Sequence, residues 1–372
     1  MENSLILDAL SKKGLQTYLT NRVFDKLFFP DFLDWERTIQ LTVETLIGAE
    51  GNRVAADIVS YNASAPEKMR PVHDVMKTEL PPIRIKRKMS ETNLNDYFIL
   101  QRLADDASHR KALQMIFNDV DFCMDGVLAR LEWMTIQMLS YGKISLTTSN
   151  NAGVITETDI DFQLPSGNQE YIGSAGGTAS ANYYWTTGAK STNDPITDIE
   201  AIVKEGKDSG VKFKYILMNN TKWYELRESA AVQAFVAPYL VYGGTAARRA
   251  PSVKIMNEAL AGYGLPSVYV VDTRVTIEQA DHTQTSTDPW YHNKYVTFIP
   301  EKKLGKLFWC PTAEEQAKPK QATHVKKGPI LISKYSETDP VAEYTVGLLN
   351  AFPSWPSIDK AWILNTESHT AF

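Results

Sequence analysis

The sequence predicts an α+β fold, and three patterns along the chain support that class. Apolar residues recur at steps of three or four through residues 111–141, which predicts one long amphipathic helix. Segments with the alternating polarity of strands lie on both sides of this helix. Helical and strand patterns alternate only in the middle of the chain, so the mixed ends favour α+β over an α/β sheet.

Composition limits the classes of protein to which the chain can belong. Its 372 residues suffice for two domains, or for one domain with large insertions. A net charge of −5 argues against a chain whose main task is to grip nucleic acid, because that task needs a strong positive field. Cys123 and Cys310 fit two buried thiols in a reducing compartment. No secretory signal and no long apolar run is visible, so we expect a protein made and kept in the cytoplasm.

The N-terminal part of the chain predicts two features that cannot bury themselves. Residues 1–30 carry a short amphipathic helix with an apolar end at Phe28 and Phe29, and such an arm is expected to dock on another surface. Residues 41–90 have strand character but few apolar residues, so we interpret them as a charged ribbon that projects from the body. Within this ribbon, one face carries Ile83, Ile85, Arg87 and Met89, and the other carries Arg84, Lys86 and Lys88.

The rest of the chain predicts a regular body interrupted by loops. Gly142 is expected to end the long helix, and a hairpin follows within residues 142–162. An irregular segment rich in Gly, Ser, Thr and Asn occupies residues 165–193. Further helices and strands lead to a polar stretch at residues 278–293, and residues 328–368 are predicted to be strands separated by Pro-containing turns.

Enzyme motifs are largely absent from the sequence. It has no phosphate-binding loop with a lysine, no dinucleotide fingerprint after a strand and no nucleophile elbow. One polar loop could hold a metal, although a solvated loop is the favoured interpretation. Its candidate ligands are His282, His292, Asp281 and Asp288.

Basic residues are concentrated in the charged ribbon. Between residues 66 and 90 there are seven Lys or Arg and three Asp or Glu. These cations could touch phosphate, but in a chain of net negative charge a contact with a protein neighbour is favoured. Arg248 and Arg249 are ambiguous in the same way.

Four acidic residues lie close together within residues 191–206 and could form an active site: Asp194, Asp198, Glu200 and Glu205. Local physics favours a helix start instead, because Asn193 or Asp194 suits the N-cap and Pro195 suits the first helical position. Asp198 and Glu200 then lie near the positive end of the helix dipole, and Glu205 can face water. A cytosolic carbohydrate- or nucleotide-processing enzyme that uses Asp194, Asp198 and Glu200 is the alternative from another class.

Several stretches, in matching order, resemble the lambda-type major capsid proteins of tailed bacteriophages, the major capsid protein E family. "STNDPITDIEA" resembles that family's Asp-Pro segment, which opens a helix after a central loop. "RPVHDV", with Pro71, His73 and Asp74, resembles a piece of its extended loop. "DPVAEYT", residues 339–345, resembles a strand near its C-terminus, and "GGT" at 176–178 and "ARR" at 247–249 are weaker counterparts.

The resemblance implies the tailed-phage major capsid fold. Its parts would be an N-terminal arm at 1–40, an extended two-stranded loop at 41–92, a peripheral domain with a long spine helix at 93–165, an axial domain at 166–324, and C-terminal strands that return to the peripheral domain at 325–372. The helix cap at Asp194 and Pro195 would stand where the chain enters the axial domain, and Arg248 and Arg249 would make axial-loop contacts. The extended loop would supply the inter-subunit contacts Pro71, His73, Asp74, Arg84, Lys86, Arg87 and Lys88.

The function implied by the resemblance is structural. Many copies would form hexamers and pentamers and close into an icosahedral shell around phage double-stranded DNA, which is held without sequence specificity. No catalytic residue, metal or cofactor is expected, and no membrane. A separate scaffolding protein is expected because no long N-terminal scaffolding-like helix is visible, together with a portal and, as an open alternative, a decoration protein. The expected location is the virion capsid, after assembly in the host cytoplasm. An encapsulin-like nanocompartment shell is the alternative that keeps the fold.

Overall fold

The chain folds into two compact units. A computed structural model describes residues 12–22, 27–47, 74–103, 106–151, 158–174, 180–239, 250–279, 281–317, 319 and 322–370. The first unit comprises Met1–Val43, Lys77–Trp133 and Lys306–Ser354. The second unit comprises Glu44–Met76, Met134–Gly305 and Trp355–Phe372.

Helices and strands occur in both units, as an α+β fold requires. The helices of the described residues are α1 (Lys12–Asn21), α2 (Phe29–Phe32), α3 (Glu91–Arg102), α4 (Asp106–Tyr141), α5 (Pro195–Asp208), α6 (Asn220–Glu228), α7 (Ala230–Val236), α8 (Val253–Gly262) and α9 (Ala313–Ala317). The long helix predicted at 111–141 is confirmed as α4, which begins five residues earlier. It ends at Gly142, whose positive φ of 71° is a conformation that favours glycine.

The strands of the described residues are β1 (Leu33–Arg37), β2 (Thr42–Ile47), β3 (Asp74–Glu79), β4 (Pro82–Met89), β5 (Lys143–Leu146), β6 (Thr158–Asp161), β7 (Gln169–Tyr171), β8 (Tyr215–Asn219), β9 (Ser267–Val271), β10 (Val275–Glu278), β11 (Gln284–Thr287), β12 (Tyr295–Ile299), β13 (Gly305–Cys310), β14 (Thr323–Lys327), β15 (Ile330–Thr338), β16 (Val341–Ser354) and β17 (Trp362–Asn365). The predicted hairpin after α4 is confirmed, since β5 and β6 pair antiparallel.

The first unit is built on a six-stranded sheet in the order β1-β13-β16-β15-β14, with β4 paired to β16. The pairing of β4 with β16 covers eight residues, from Met89 opposite Glu343 to Pro82 opposite Asn350. The prediction that all of residues 41–92 project from the body is therefore wrong for β4. The physical reason is that β16 is 14 residues long and offers β4 a partner, while Ile83 and Met89 bury their side chains.

Two other strands of the predicted ribbon, β2 and β3, pair with each other in a two-stranded sheet. Residues 48–73, which join them and contain Pro71 and His73, lie outside the described residues.

Helix α4 packs very closely on the sheet of the first unit. A Cβ atom at Gly347 of β16 would lie 2.7 Å from the main-chain oxygen of Cys123, and one at Gly126 would overlap the Ile85 side chain. The Cys123 thiol donates a hydrogen bond to the Thr345 carbonyl at 3.3 Å. Both cysteines are buried and unbridged, as the sequence predicted.

The N-terminal arm docks on its own unit. Leu15 and Leu19 of α1 are fully buried. At the start of α2, the buried Glu132 carboxylate accepts hydrogen bonds from the main-chain N–H groups of Phe28 at 2.8 Å and Phe29 at 2.9 Å. The carboxylate satisfies donors that a helix start leaves without an intrahelical partner. The expected docking surface for this apolar segment is therefore supplied by the same chain.

The second unit has a five-stranded sheet in the order β7-β17-β12-β8-β9. An apolar core that includes Trp185, Ile199, Ile202, Leu226 and Met256 joins this sheet to residues of α5, α6 and α8. Strands β8 and β9 pair in parallel over five residues.

The C-terminal residues do not stay together as the sequence predicted. Strands β14, β15 and β16 belong to the first sheet, whereas β17 lies between β7 and β12 in the second. All four residues of β17 are buried, and buried main-chain N–H and C=O groups need hydrogen-bond partners, which strands on both edges supply. Strand β13 also departs from the expected range of 166–324, because it pairs with β16 in the first unit.

The close approach at Gly347 gives a test of the helix–sheet contact. We expect Gly347→Ala to lower the free energy of unfolding by about 1–3 kcal/mol, because the added methyl group meets main chain that cannot move aside. Gly167→Ala is the matched control, since a Cβ there meets no atom within 4 Å. Denaturant unfolding measures both, and equal stability of the two variants would contradict the packing.

Candidate inter-subunit surface

The charged strand β4 has the two faces that the sequence predicted. Ile83 and Met89 are buried, and Ile85 meets Gly126 of α4. Arg87 is on this same face, where it reaches α4. The other face carries Arg84, Lys86 and Lys88, all exposed.

Arg87 makes its contacts within the first unit. Its Nε lies 3.2 Å from Oδ1 of Asp119 on α4, and its guanidinium lies 4.7 Å from the centre of the Phe122 ring. Burial raises the pKa of Asp119, while Arg87 and then Lys334 lower it by their positive charge. Arg87 therefore holds β4 to α4, and the inter-subunit role implied by the resemblance stays a prediction.

A buried ion pair lies on the two strands beyond β4. Lys334 of β15 and Glu343 of β16 are each 1% exposed, and their charged atoms are 3.6 Å apart. Removal of either charge would leave the other buried without its ion-pair partner, which is costly. This ion pair also stabilises the first unit from within, and the sequence pattern did not predict it.

Lys86 is also engaged within the unit. Its ammonium lies 3.7 Å from the centre of the Tyr344 ring and 5.4 Å from that of Tyr335. The hydrogen bond with Tyr335 is the main cause that raises the pKa of Lys86. Cation–π contacts of this kind stabilise the exposed side of the sheet.

Arg84 and Lys88 have weaker contacts in the same unit. Arg84 is 57% exposed, and its nearest carboxylate, Glu314, is 3.9 Å away. The ammonium of Lys88 is 5.9 Å from the Tyr344 ring centre. Of the four predicted cations of β4, these two present the most accessible charge to a neighbour.

The other predicted contact residues are not brought to this surface by the described structure. Asp74 begins β3, but its side chain is outside the described residues, as are Pro71, His73, Arg248 and Arg249.

The acidic segment that begins α5 forms the predicted helix start. Asp194 is the N-cap: its carboxylate accepts hydrogen bonds from the Thr197 hydroxyl at 2.8 Å and from the Thr197 N–H at 3.4 Å. Pro195 occupies the first helical position. These contacts are those that the sequence predicted for the cap.

The remaining acids of this segment do not converge on a common point. The Asp198 carboxylate accepts a hydrogen bond from the indole N–H of the buried Trp185 at 2.8 Å, while Glu200 is exposed. Burial raises the pKa of Asp198 to about 6, the Trp185 bond opposes this, and Asp194 adds to it. Asp198 thus fixes Trp185 in the core.

The sequence suggested that Glu205 faces water, and this prediction is wrong. Its carboxyl group lies beside Glu170 of β7, which is itself buried and accepts a hydrogen bond from the Ser174 hydroxyl. Burial and the neighbouring Glu170 charge raise the pKa of Glu205 to about 7. Sequence reasoning missed the pair because only the packing of β7 against α5 brings the two residues together.

Lys222 is a second feature that sequence reasoning missed. It lies on α6 and is fully buried. Its ammonium donates to the Trp185 carbonyl at 2.9 Å and contacts the carboxylates of Glu225 at 2.6 Å and Glu367 at 2.8 Å. A buried ammonium is tolerated when it is paired and hydrogen-bonded in this way.

The residues of the predicted metal loop are occupied by other contacts. Asp288 accepts from the Asn219 amide at 2.8 Å, and His282 pairs with Glu278 at 2.8 Å. In the part of the chain that the structure describes, no group of three His, Cys, Asp or Glu residues could hold a metal ion. Over the same residues, no helix is long and apolar enough to cross a membrane.

Two folded units and a long helix packed on an extended sheet define the capsid fold of tailed phages, a class of shell-forming proteins. The capsid protein assigned to a prophage of Escherichia coli CFT073 has this fold: it is 15% identical, the match covers 96% of this chain and 99% of that chain, and the TM-score is 0.57. A phage-related protein of Bordetella bronchiseptica RB50 is 11% identical over 96% of this chain and 97% of that chain, with a TM-score of 0.49.

The chain belongs to the phage major capsid protein E family, whose pattern matches residues 14–365. It is therefore a capsid protein that associates with copies of itself into the icosahedral shell of a phage virion. No match was found among proteins of curated function.

The Glu170–Glu205 pair predicts a pH dependence of stability. The pKa of Glu205 is raised from 4.5 to about 7 in the folded chain, so its contribution to stability is full below about pH 4.5 and is lost as the pH rises through about 7. Glu205→Gln has no charge to repel Glu170, so the melting temperature of the variant should exceed that of the unchanged protein increasingly between about pH 5 and pH 8.

Thermal melting across this pH range measures the effect, with Glu200→Gln, an exposed residue of the same helix, as the control. Some pH dependence should remain in the variant because Asp198 also titrates, with a pKa of about 6. Parallel curves for Glu205→Gln and the unchanged protein would contradict the pairing.

Proposed function

We propose that this chain is the major head protein, which assembles as hexamers and pentamers and encloses phage double-stranded DNA. Membership of the major capsid protein E family supports this proposal most directly. One sequence must then make several slightly different contacts that still close, which heterologous interfaces between identical subunits allow. The net charge of −5 suits such a container, because a strongly basic lining would trap the packed DNA.

The role proposed for the chain is structural rather than enzymatic. Asp194 caps α5 and Asp198 binds Trp185, so these acids already have a use in the fold. Assembly would take place in the host cytoplasm with a separate scaffolding protein and a portal, and a decoration protein is an open addition.

The two units suggest how the parts implied by the family are distributed. We assign the peripheral role to the first unit, with its six-stranded sheet and the greater part of α4, and the axial role to the second unit. Arg248 and Arg249 would make axial-loop contacts within the second unit. The extended loop is narrowed to residues 42–79, because β4 belongs to a sheet.

The set of candidate inter-subunit contacts is also smaller than the resemblance implied. Pro71, His73 and Asp74 stay candidates, and Arg84 and Lys88 join them as the accessible cations of β4. Such charged contacts would set the register and rate of association more than its affinity. Lys86 and Arg87 are assigned to the fold itself because Tyr344 and Asp119 already bind them.

Charge reversal at Arg84 and Lys88 tests the proposed contact surface. We expect R84E/K88E to keep the stability of the subunit within about 1 kcal/mol, because exposed charges contribute little to folding. Assembly should fall by about tenfold or more, because the reversed charges meet like charges on a neighbour. Light scattering measures the rate and extent of assembly, and circular dichroism measures the fold.

The matched control is K204E/K254E, which changes the charge equally at two exposed positions of the second unit. Assembly of R84E/K88E at the rate of this control would exclude Arg84 and Lys88 as inter-subunit contacts.

Removal of the loop between β2 and β3 tests the proposed shell function. Residues 48–73 would be replaced by a short Gly/Ser linker, which leaves β4 and its sheet intact. We expect a folded subunit that forms no closed shells, because the loop would supply contact area that lies outside the subunit's own core. Negative-stain microscopy, with and without the candidate scaffold, measures the outcome.

The unchanged chain is the control and should give closed particles in the presence of the scaffold. Normal shells from the deletion variant would exclude the loop as an assembly element. A strictly monomeric unchanged chain under both conditions would contradict the proposed function itself.

A further inference from the structure

One edge of the six-stranded sheet is covered by a helix instead of a strand. Strand β14 pairs with β15 over all five of its residues. Among the described residues no strand pairs with the outer edge of β14, and α1 lies along it. The main-chain groups on a sheet edge can template the addition of another strand, so what covers an edge controls association.

Gln16 of α1 imitates a neighbouring strand at Lys326. Its side-chain Nε2 donates to the Lys326 carbonyl at 2.6 Å, and its Oε1 accepts from the Lys326 N–H at 3.1 Å. An antiparallel strand makes the same two hydrogen bonds with the residue opposite it. The main-chain N–H and C=O groups of Lys326 are therefore bonded to a side chain, and this side chain can move away from the edge.

The attachments that hold α1 in place are mostly polar and partly exposed. The Tyr18 hydroxyl donates to Asp121 of α4 at 2.7 Å, and Arg22 forms ion pairs with Asp121 at 2.9 Å and Asp125 at 2.7 Å. Of the α1 side chains that the structure describes, Leu15 and Leu19 are fully buried, and the Tyr18 ring stacks on Phe117. A helix of ten residues is not stable by itself, so α1 would lose its structure when it leaves the edge.

The other end of the same sheet has the opposite character. Among the residues that the structure describes, β1 pairs with β13 and with no other strand; it carries Asp34, Glu36 and Arg37, whereas β14 carries Lys326 and Lys327. Large apolar side chains are exposed in and just after β1: Trp35 at 39%, Ile39 at 89% and Leu41 at 50%. Exposed apolar groups beside an edge strand are typical of a contact surface.

We propose that β14 is a strand-addition edge for β1 of a second copy of this chain, and that α1 keeps this edge closed until the copies meet. Both strands have five residues, and β1, with Asp34, Glu36 and Arg37, has a net charge of −1 against +2 for β14. Within one chain Glu36 pairs with Lys306 at 2.6 Å and Lys326 with Glu315 at 2.5 Å, so strand addition would exchange these partly exposed ion pairs for pairs between the copies. Joining opposite edges of one sheet is a heterologous contact, which closes into a ring when the rotation between copies permits. The inference deepens the proposed function by naming one surface through which copies associate.

Gln16→Ala tests whether α1 covers the outer edge of β14. The variant should associate about tenfold more tightly than the unchanged chain, because the Lys326 main chain then has no side-chain partner to displace. Size-exclusion chromatography with light scattering, over a concentration series and without scaffold, measures the mass. Thr20→Ala is the matched control, since Thr20 is exposed on α1 and its hydroxyl binds only the Gln16 main chain.

An exchange of charges between β1 and β14 tests whether β1 of a second copy is the strand that pairs with β14. In the Gln16→Ala background, Asp34→Lys should reduce association by about tenfold, and adding Lys327→Glu should restore it, because the attraction is then reversed in both strands. The Lys327 ammonium also donates to the Arg22 carbonyl next to α1, so Lys327→Glu without Asp34→Lys is measured as well; this variant loosens α1 but should still reduce association. Should Gln16→Ala fail to fold, Arg22→Ala is measured in the same way, because it loosens the far end of α1. A folded Gln16→Ala variant that associates no more than Thr20→Ala, or a charge swap that restores nothing, overturns the inference.

Failure of this inference can be distinguished from failure of the proposed function. Closed shells from the unchanged chain, together with no effect of the charge swap, would retain the shell function and remove β14 as a contact edge. Absence of shells from the unchanged chain would remove the function whatever the Gln16 variant does.

Discussion

The contact between α4 and the sheet of the first unit is the constraint on which most of that unit depends. The helix approaches so closely that glycine is needed at Gly347, where a Cβ atom would meet the Cys123 main chain, while a Cβ atom at Gly126 would displace the Ile85 side chain. Because the main chain of α4 almost touches β16, only small side chains fit at the crossing, and larger ones pack to either side. The buried Glu132 on the same helix then fixes the start of α2, and Asp119 fixes β4.

Two classes of charge follow from this packing. Arg87, Lys334 and Glu343 lie near the helix–sheet contact and stabilise it through ion pairs. Arg84 and Lys88 point away from it and remain accessible to other molecules. Strand alternation alone separates the two classes, since neighbouring residues of β4 face opposite sides of the sheet. A basic strand can thus serve folding on one face and association on the other.

Several polar groups of the second unit position its core. Trp185 illustrates this: its indole N–H binds Asp198 and its carbonyl binds the ammonium of Lys222. Lys222 in turn joins Glu225 and Glu367, so residues distant in the chain are fixed around one buried ring. Asp194 and Asp198, two of the acids that first suggest an active site, therefore make structural contacts, one as a helix cap and one with Trp185.

The sequence by itself determined the α+β class, the long helix, the two faces of β4 and the cap formed by Asp194 and Pro195. Each of these depends on neighbours within a few residues, through helical periodicity, strand alternation or local hydrogen bonding. The resemblance in motif order also indicated the family, which the match over residues 14–365 confirms.

Only the tertiary structure decided which sheet each strand joins and which polar residues meet. The pairing of β4 with β16, the separation of β17 from β14–β16, the Glu170–Glu205 pair and the Gln16–Lys326 contact all join residues far apart in sequence. Local patterns carry no information on such pairings, because the same alternation suits any sheet edge with a complementary face. Packing selects among those edges, and this selection separates the charges that are bound within the fold from those that stay exposed.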